Sequence, residues 1–292
     1  MVKIAVVGDI HDLWELKDNA ALRHLNVDLA LFVGDYGNEA VEVVRRIAAV
    51  EVPKAAVMGN HDAYYSASNK GIKNCPYDRS KEDWVQLQLD LLGDAHIGFS
   101  KREFPQLGLT VVGGRPFSWG GSKWRYRKFY RDRFDVRSFD ESLDLILAAA
   151  DEAEHNTIIF VGHVGPYGLG DKPTDICGKD WGNSSGDYGD PDFAKAIELT
   201  QQAGRQVPLV TFGHMHHKLK DSNQLRKRVA TDNNGTIYFN AANVPRIEKT
   251  ELGERRSFSL VTLNQGIVES IALVWLSANF EQISEEILYA AR

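Results

Sequence analysis

The stretch AAVMGNHD, residues 55–62, places an amide, an imidazole and a carboxylate directly after an apolar run. The run has the length of a buried strand, and Gly59 allows the chain to turn sharply at its end. Polar side chains are costly to bury unless they are paired. The stretch therefore indicates either a turn whose side chains bond locally, or a site at which Asn60, His61 and Asp62 bind something.

The same arrangement recurs along the chain. Four more apolar runs end in glycine and then a polar side chain: VVGD at 6–9, FVGD at 32–35, FVGH at 160–163 and TFGH at 211–214. Helical spacing of apolar residues separates the first three runs, from Trp14 to Leu25 and again after Asn38. This alternation predicts an α/β fold with parallel strands joined by crossover helices.

The polar residues that follow the strands form one chemical set. Ligands collect at the carboxyl ends of strands in an open α/β sheet, so we expect these side chains to meet there. The candidate metal ligands are Asp9, His11, Asp35, Asn60, His163, His214 and His216. Nitrogen and hard oxygen donors without sulfur favour Mn, Fe or Zn over Ca. Seven ligands exceed one tetrahedral site, so the count predicts two divalent ions, with Asp35 as the candidate bridging carboxylate.

Five short blocks, taken in order, resemble those of the calcineurin-like metallophosphoesterase superfamily. They are GDIH (8–11), GDYG (34–37), GNHD (59–62), GH (162–163) and GHMH (213–216). The resemblance spans residues 3–246 and implies a four-layer α/β/β/α sandwich, with two mixed sheets flanked by helices. It also implies a distribution of the ligands: one ion held by Asp9, His11, Asp35 and His216, and a second held by Asp35, Asn60, His163 and His214.

The resemblance implies a reaction as well. A metal-bridging hydroxide attacks phosphorus in line, His61 protonates the leaving oxygen as general acid, and Asp62 orients the imidazole. The predicted activity is hydrolysis of a small organic phosphate or nucleotide-like ester, with phosphomonoester and phosphodiester both open.

The residues also bear on two alternatives to this activity. Protein Ser/Thr phosphatases of this superfamily carry an arginine soon after the second block, whereas this chain continues as GDYGNEA (34–40). The blocks and the Trp- and Arg-rich middle are more similar to a bacterial-type subgroup. The other alternative is a non-catalytic binding or scaffold protein on the same fold. Members that lost catalysis usually lack a ligand or the GNHD imidazole, and here all are present.

A basic and aromatic segment, residues 115–137, stands out in a protein with a net charge of −6. It carries eight Lys or Arg residues and seven aromatic ones. We expect residues 1–292 to form a single domain. Within it, one interpretation of the segment is a substrate-capping insertion. The other is an amphipathic segment whose aromatic side chains pack on the rest of the domain. Arg115 comes directly after the end of a predicted strand, and Arg246 comes after a loop that follows the last block. Both are therefore candidate substrate-binding residues.

Charge, cysteine content and apolar runs indicate which partners and which cellular compartment to expect. A net charge of −6 over 292 residues argues against general nucleic-acid binding. The two cysteines cannot form a disulfide framework and favour reduced thiols in a cytoplasmic protein. The beginning, MVKIAVVGDI, is interpreted as a first strand rather than a signal peptide, and the apolar run at 271–276 is too short to span a bilayer. The oligomeric state stays open.

Overall fold

The structure is a computed structural model that describes residues 1–182, 185–220, 222–251 and 253–291. The strands are β1 Val2–Val7, β2 Leu29–Phe32, β3 Lys54–Ala56, β4 Lys101–Phe104, β5 Leu109–Gly113, β6 Thr157–Val161, β7 Gln206–Phe212, β8 Val229–Thr231, β9 Ile237–Asn240, β10 Ile247–Thr250, β11 Gly253–Asn264, β12 Ile267–Leu276 and β13 Gln282–Ala290. The helices are α1 Leu16–His24, α2 Val41–Ala48, α3 Tyr64–Ala67, α4 Asn69–Lys73, α5 Trp84–Leu92, α6 Arg127–Phe134, α7 Phe139–Asp151 and α8 Pro191–Gln202.

These strands form two mixed sheets. The first has the order β13-β12-β11-β1-β2-β3, with β10 paired to β11. Within it β1, β2 and β3 run parallel, whereas β11 pairs antiparallel with β1. The second has the order β4-β5-β6-β7-β9-β8, in which β5, β6, β7 and β9 run parallel. Parallel strands end at the same edge, so each sheet delivers a row of strand ends to one place.

Three separate layers of buried apolar side chains hold the fold together. Alternate residues of β1 divide between two of them: Ala5 and Val7 pack toward α1 and α2, and Ile4 and Val6 pack between the sheets. In β6, Phe160 instead faces the layer shared with α7 and α8. Three cores separate four layers, helix, sheet, sheet and helix. The predicted four-layer α/β/β/α sandwich is confirmed.

Helix starts follow capping chemistry, and one start predicted from the sequence was wrong. Helix α7 begins after Ser138, whose hydroxyl accepts the Glu141 amide at 3.2 Å. Ser80, followed by apolar residues at helical spacing, predicts that helix α5 begins at Lys81 with Ser80 as its cap. It begins three residues later because the Asp83 carboxylate accepts the Gln86 amide at 2.9 Å.

Some elements escaped the sequence analysis. Helix α6 lies inside the basic and aromatic segment, where charges on every side obscure the apolar spacing. Strand β13 is mostly exposed on both faces, so it lacks the alternation expected of a half-buried strand. The apolar run at 96–99 also predicts a strand, whereas the structure has an isolated bridge there, between Ala56 and His96. In the described part of the chain, none of the helices has the length and apolarity needed to cross a membrane.

Candidate metal centre

The carboxyl ends of five parallel strands from the two sheets meet at one locus. The loop after β1 contacts the loop after β2, because the Asp9 amide donates to the Gly34 carbonyl at 3.0 Å. The two sheets are joined there by His163, whose Nδ1 donates to the Val33 carbonyl at 2.8 Å. The His214 amide donates to both carboxylate oxygens of Asp9, each at 3.0 Å. Residues more than 200 positions apart in sequence thus share one cluster.

One group of donors comprises Asp9, His11 and His216. The Nε2 atoms of the two histidines face each other at 3.1 Å, and His216 Nε2 lies 3.5 Å from Asp9 Oδ1. Potential ligand atoms of all three residues lie within 4.8 Å of one another. This group contains three of the four residues expected around the first ion.

The second group comprises Asp35, Asn60, His163 and His214. His163 Nε2 lies 3.1 Å from Asn60 Oδ1, 3.2 Å from His214 Nδ1 and 3.3 Å from Asp35 Oδ1. Asp35 also belongs to a compact group with His11 and His61. Its carboxylate therefore lies between the two sets of donors, where a bridging ligand would be needed.

These distances fit a metal site. Donors that each lie about 2.0–2.2 Å from one cation are about 3.0–3.4 Å apart in tetrahedral or octahedral geometry. The separations around His163 Nε2, 3.1–3.3 Å, match that range. Imidazole nitrogens that face each other this closely also repel unless a proton or a cation lies between them. The donor set therefore suits divalent transition metals.

Comparison with known families decides the affiliation. The sequence profile of the calcineurin-like phosphoesterases matches residues 2–218. The chain belongs to the calcineurin-like phosphoesterase family. A comparison with curated proteins returns no significant match.

Solved structures align with nearly the whole of this chain. One chain aligns with a TM-score of 0.53 at 12% identity, covering 97% of this chain and 99% of the other. A protein from Thermus thermophilus aligns with a TM-score of 0.50 at 12% identity, covering 99% of each chain. A dimetal phosphatase from Danio rerio aligns with a TM-score of 0.48, also at 12% identity and 99% coverage of each chain. Likeness at this level of identity shows the fold alone.

The GNHD stretch lies at the rim of the donor cluster. His61 Nδ1 donates to Asn38 Oδ1 at 2.6 Å, and its ring stacks on Tyr64 with centroids 5.8 Å apart. Its backbone amide donates to Asp35 Oδ1 at 2.9 Å. The imidazole is thus held in one orientation, and Nε2 is the nitrogen left for a substrate.

The structure corrects the contact expected of Asp62. Its carboxylate lies fully buried and accepts three backbone amides, those of Gly59 at 2.6 Å, Asp35 at 3.0 Å and Tyr36 at 2.8 Å. Both oxygens are engaged by the backbone, so Asn38 rather than Asp62 is the partner of the His61 ring. Asp62 instead fastens the loop after β2 to the loop after β3, and so fixes the positions of Asp35 and Asn60.

The two candidate arginines lie elsewhere. Arg115 is 3% exposed, and its guanidinium donates to Asp190 at 2.6 Å and to Asp192 at 2.9 Å. The ring of Trp124 lies 4.9 Å from it. The structure does not bring Arg115 to the donor cluster, because these partners tie it to the start of α8. A phosphate would have to displace two buried carboxylates, which is costly.

Arg246 is placed in a similar way on the other side of the molecule. Its guanidinium donates to Asp18 at 2.9 Å and to the Leu13 carbonyl at 2.8 Å, and it lies 4.8 Å from the Trp14 ring. It is also 3% exposed. These contacts support a role in joining the chain near β10 to α1.

A cavity of about 530 Å³ opens over the donor cluster, and some of its lining escaped the sequence analysis. Besides the ligands it is lined by Trp119, Trp181, Asp180, Lys218 and Lys220. The two tryptophans flank His214, with ring centroids 6.0 Å and 6.5 Å from the imidazole. Trp119 lies in the basic and aromatic segment 115–137, and Lys218 and Lys220 come shortly after the last ligand block, whereas Asp180 and Trp181 lie in a long loop that carries no ligand motif. The volume falls in the range of small-molecule sites.

Burial and neighbouring charges shift the pKa values of Asp35 and His163 in opposite directions. Burial alone would raise the pKa of Asp35, but the charge and hydrogen bond of His163 hold it well below its ordinary value. Burial would lower the pKa of His163, yet Asp35 and then Asp9 raise it to about 9. Burial, assisted by the charge on His163, lowers the pKa of His214 to about 3. Without metal, the positive charge of protonated His163 offsets the negative charge of the buried carboxylates.

Metal binding by this protein should therefore release protons. A ligating imidazole is neutral, so the ion displaces the proton that His163 holds below pH 9. At pH 7.5 we expect at least roughly one proton released per protein on adding Mn²⁺, and less above pH 9. Calorimetric titration in buffers of different ionisation enthalpy measures this number. His163→Gln should lower it, and binding without proton release would contradict the assignment.

Four of the candidate ligands have strained backbones. Asp9, His11, Asp35 and His214 have φ values of 51°, 45°, 57° and 68°. Residues other than glycine rarely occupy this region, at a cost of about 1–3 kcal/mol each. Such strain persists only where the surroundings fix it, and it clusters at functional sites. The backbone strain at these four residues therefore lies where the candidate ligands converge.

A substitution at Gly213 tests how tightly the cluster is built. A Cβ at this position would lie 2.1 Å from Asp9 Oδ2, and Asp9 is buried with no room to retreat. Gly213→Ala should displace Asp9 and reduce the bound metal from two ions to one or none, measured by elemental analysis after dialysis. Gly186→Ala is the control, since nothing lies within 4 Å of its Cβ. Full metal content in Gly213→Ala would show that Asp9 is not a ligand.

Proposed function

We propose that this protein is a binuclear metal-dependent phosphoesterase that hydrolyses a small organic phosphate ester. The observation that carries the proposal is the convergence of two donor groups on Asp35, with an oriented imidazole beside them. Two sites that share a carboxylate are a recurrent device for phosphoryl transfer. Membership of the calcineurin-like phosphoesterase family supports the same reaction class.

Each ligand has a proposed place. Asp9, His11, Asp35 and His216 would hold one divalent ion, and Asp35, Asn60, His163 and His214 the other. Such a pair, whether Mn, Fe or Zn, supplies an activated water and offsets the charge on the phosphoryl oxygens. Burial of Asp9, Asp35 and His163 keeps bulk water from competing for these positions.

The remaining steps belong to the chain's own side chains. Asn38 holds His61 Nδ1, so that Nε2 faces the departing ester oxygen and delivers a proton to it. Lys218 and Lys220 line the cavity and attract an anionic ester. Trp119 and Trp181 wall the site on either side of His214 and limit the access of water to the bound ester. The segment 115–137, which contributes Trp119, serves as the proposed cap.

A comparison of two chromogenic esters tests the activity. We expect the Mn²⁺-loaded protein to hydrolyse p-nitrophenyl phosphate, the corresponding bis-ester, or both, and a chelator to abolish turnover until Mn²⁺ is restored. The ratio of the two rates decides between phosphomonoester and phosphodiester. Failure on both esters by protein shown to contain two ions would favour the non-catalytic binding protein. Faster dephosphorylation of a phosphoserine peptide than of either ester would favour a protein phosphatase.

A further inference from the structure

A second cavity, which we call the aromatic groove, lies beside the metal centre. It encloses about 770 Å³, and its lining includes Tyr64, Trp119, Tyr126 and Phe129. Trp119 lines both this groove and the cavity over the ligands. Tyr64 stacks on His61 at the boundary between them. The groove therefore opens onto the reaction centre, and a substrate held by the ligands can extend into it.

The aromatic groove is cationic. Lys70, Arg125, Arg127 and Lys128 line it and are exposed, and none of its described lining residues is a carboxylate. Lys128 pairs with Asp132, and Arg125 donates to the Tyr188 hydroxyl at 3.2 Å. Among the residues that the structure describes, Lys70 and Arg127 have no ion-pair partner. Two uncompensated cations at the mouth of a groove form a site for an anionic group.

The groove also offers aromatic faces. Trp119 and Tyr126 are half-buried, with ring centroids 6.5 Å apart. Burial raises the pKa of Tyr126 to about 12, so the ring stays neutral at physiological pH. Planar rings of a ligand stack on such side chains. Trp119 lines both cavities, whereas Tyr126, Lys70 and Arg127 line the groove.

Resting on the phosphoesterase activity proposed above, we infer that the substrate is a nucleotide with a second phosphate across its nucleoside from the scissile one. The scissile phosphate lies over the metal ligands, and the nucleoside lies on Trp119 and Tyr126. The second phosphate is bound by Arg127 and Lys70. A lone phosphate on a small alcohol would leave the aromatic faces and both cations unused. Lys70 and Arg127 line the groove and are not among the residues that line the cavity over the ligands.

The reaction on such a substrate is a simple hydrolysis. The oxygen of water bonds to the scissile phosphorus, and the bond from phosphorus to the ribose oxygen breaks. The leaving oxygen takes its proton from His61, and the proton released by the water returns to solvent. The products are inorganic phosphate and a nucleoside monophosphate whose phosphate remains in the groove. No oxidant or second reactant is required.

Adenosine 3′,5′-bisphosphate and the two adenosine monophosphates, at positions 3′ and 5′, form the test set. With Mn²⁺-loaded protein we expect kcat/KM for the bisphosphate to exceed that for either monophosphate by roughly ten-fold or more, because charge-assisted hydrogen bonds contribute at that scale. In Arg127→Ala this ratio should fall toward one. Arg131→Ala is the matched control, since Arg131 lies on the same helix and pairs with Asp132 outside the groove. It should keep the ratio of the unaltered protein.

Binding to chelator-treated protein gives a readout independent of turnover. By calorimetry, the bisphosphate should bind more tightly than the monophosphates, and Arg127→Ala should remove the difference. Equal binding and equal turnover of all three nucleotides, alongside hydrolysis of p-nitrophenyl phosphate, would overturn the inference and leave the phosphoesterase standing. Turnover of no ester, with bisphosphate binding that depends on Arg127, would instead overturn the activity and retain the nucleotide site. Faster cleavage of a single-stranded oligonucleotide than of any nucleotide would assign the groove to a polynucleotide and also overturn the inference.

Discussion

Replacing Asp35 by asparagine should abolish hydrolysis and remove metal at the same time. The carboxylate lies between the two donor groups, with Oδ1 3.3 Å from His163 Nε2. An amide keeps the size but loses the charge, and only one of its two polar atoms can bind a cation. We expect kcat/KM for p-nitrophenyl phosphate to fall by about 10³ or more, equivalent to about 4 kcal/mol. Elemental analysis should show one bound ion or none.

A neighbouring carboxylate provides the control for this substitution. Asp12 is exposed and lies outside the donor groups found among the described residues, yet it follows His11 directly. Its φ of 68° also suits asparagine, so Asp12→Asn should fold without new strain. It should retain two ions and full turnover. Two ions retained in Asp35→Asn would show that this carboxylate does not bridge the centre.

The sequence was sufficient to predict which donor residues meet, because the signal is local. Five of the seven candidate ligands directly follow a short apolar run and a glycine, and His11 and His216 come two residues after such a ligand. The carboxyl ends of parallel strands meet at one edge of a sheet. Gly59 shows why the residue before the ligand is small: a Cβ there would lie 2.3 Å from Asp35 Oδ1. The four-layer arrangement could be predicted only through the family resemblance. Periodicity indicates which face of a strand is buried, but not what covers it.

The surroundings of the ligands depend on contacts that no local pattern records. Arg115 and Arg246 were singled out because each follows a strand or loop exit. Their carboxylate partners lie 75 and 228 positions away, so the sequence could not show that both guanidiniums are engaged. Asn38 precedes a run with helical spacing, which predicts that it caps the helix, whereas α2 begins after Ala40 and the Asn38 side chain accepts a hydrogen bond from His61. Pairings across loops depend on tertiary geometry, and only the folded chain shows them.

Replacing His61 by glutamine should stop proton delivery while leaving the ions in place. Glutamine can donate a hydrogen bond but cannot release a proton near neutral pH. General acid catalysis by a positioned side chain contributes about 10²–10⁴-fold, so kcat should fall within that range. The ring lies on the rim of the cluster and is only half-buried, so the fold should be retained. His24→Gln is the control, being an exposed histidine at the end of α1.

The dependence on the leaving group separates a proton donor from a residue that merely shapes the site. A good leaving group such as p-nitrophenolate departs without a proton, whereas an alkoxide requires one. His61→Gln should therefore slow an alkyl phosphate more than p-nitrophenyl phosphate. Asn38→Ala should produce a weaker form of the same pattern, because it frees the ring without removing it. Equal losses on both esters, with two ions still bound, would assign His61 to substrate binding rather than to proton transfer.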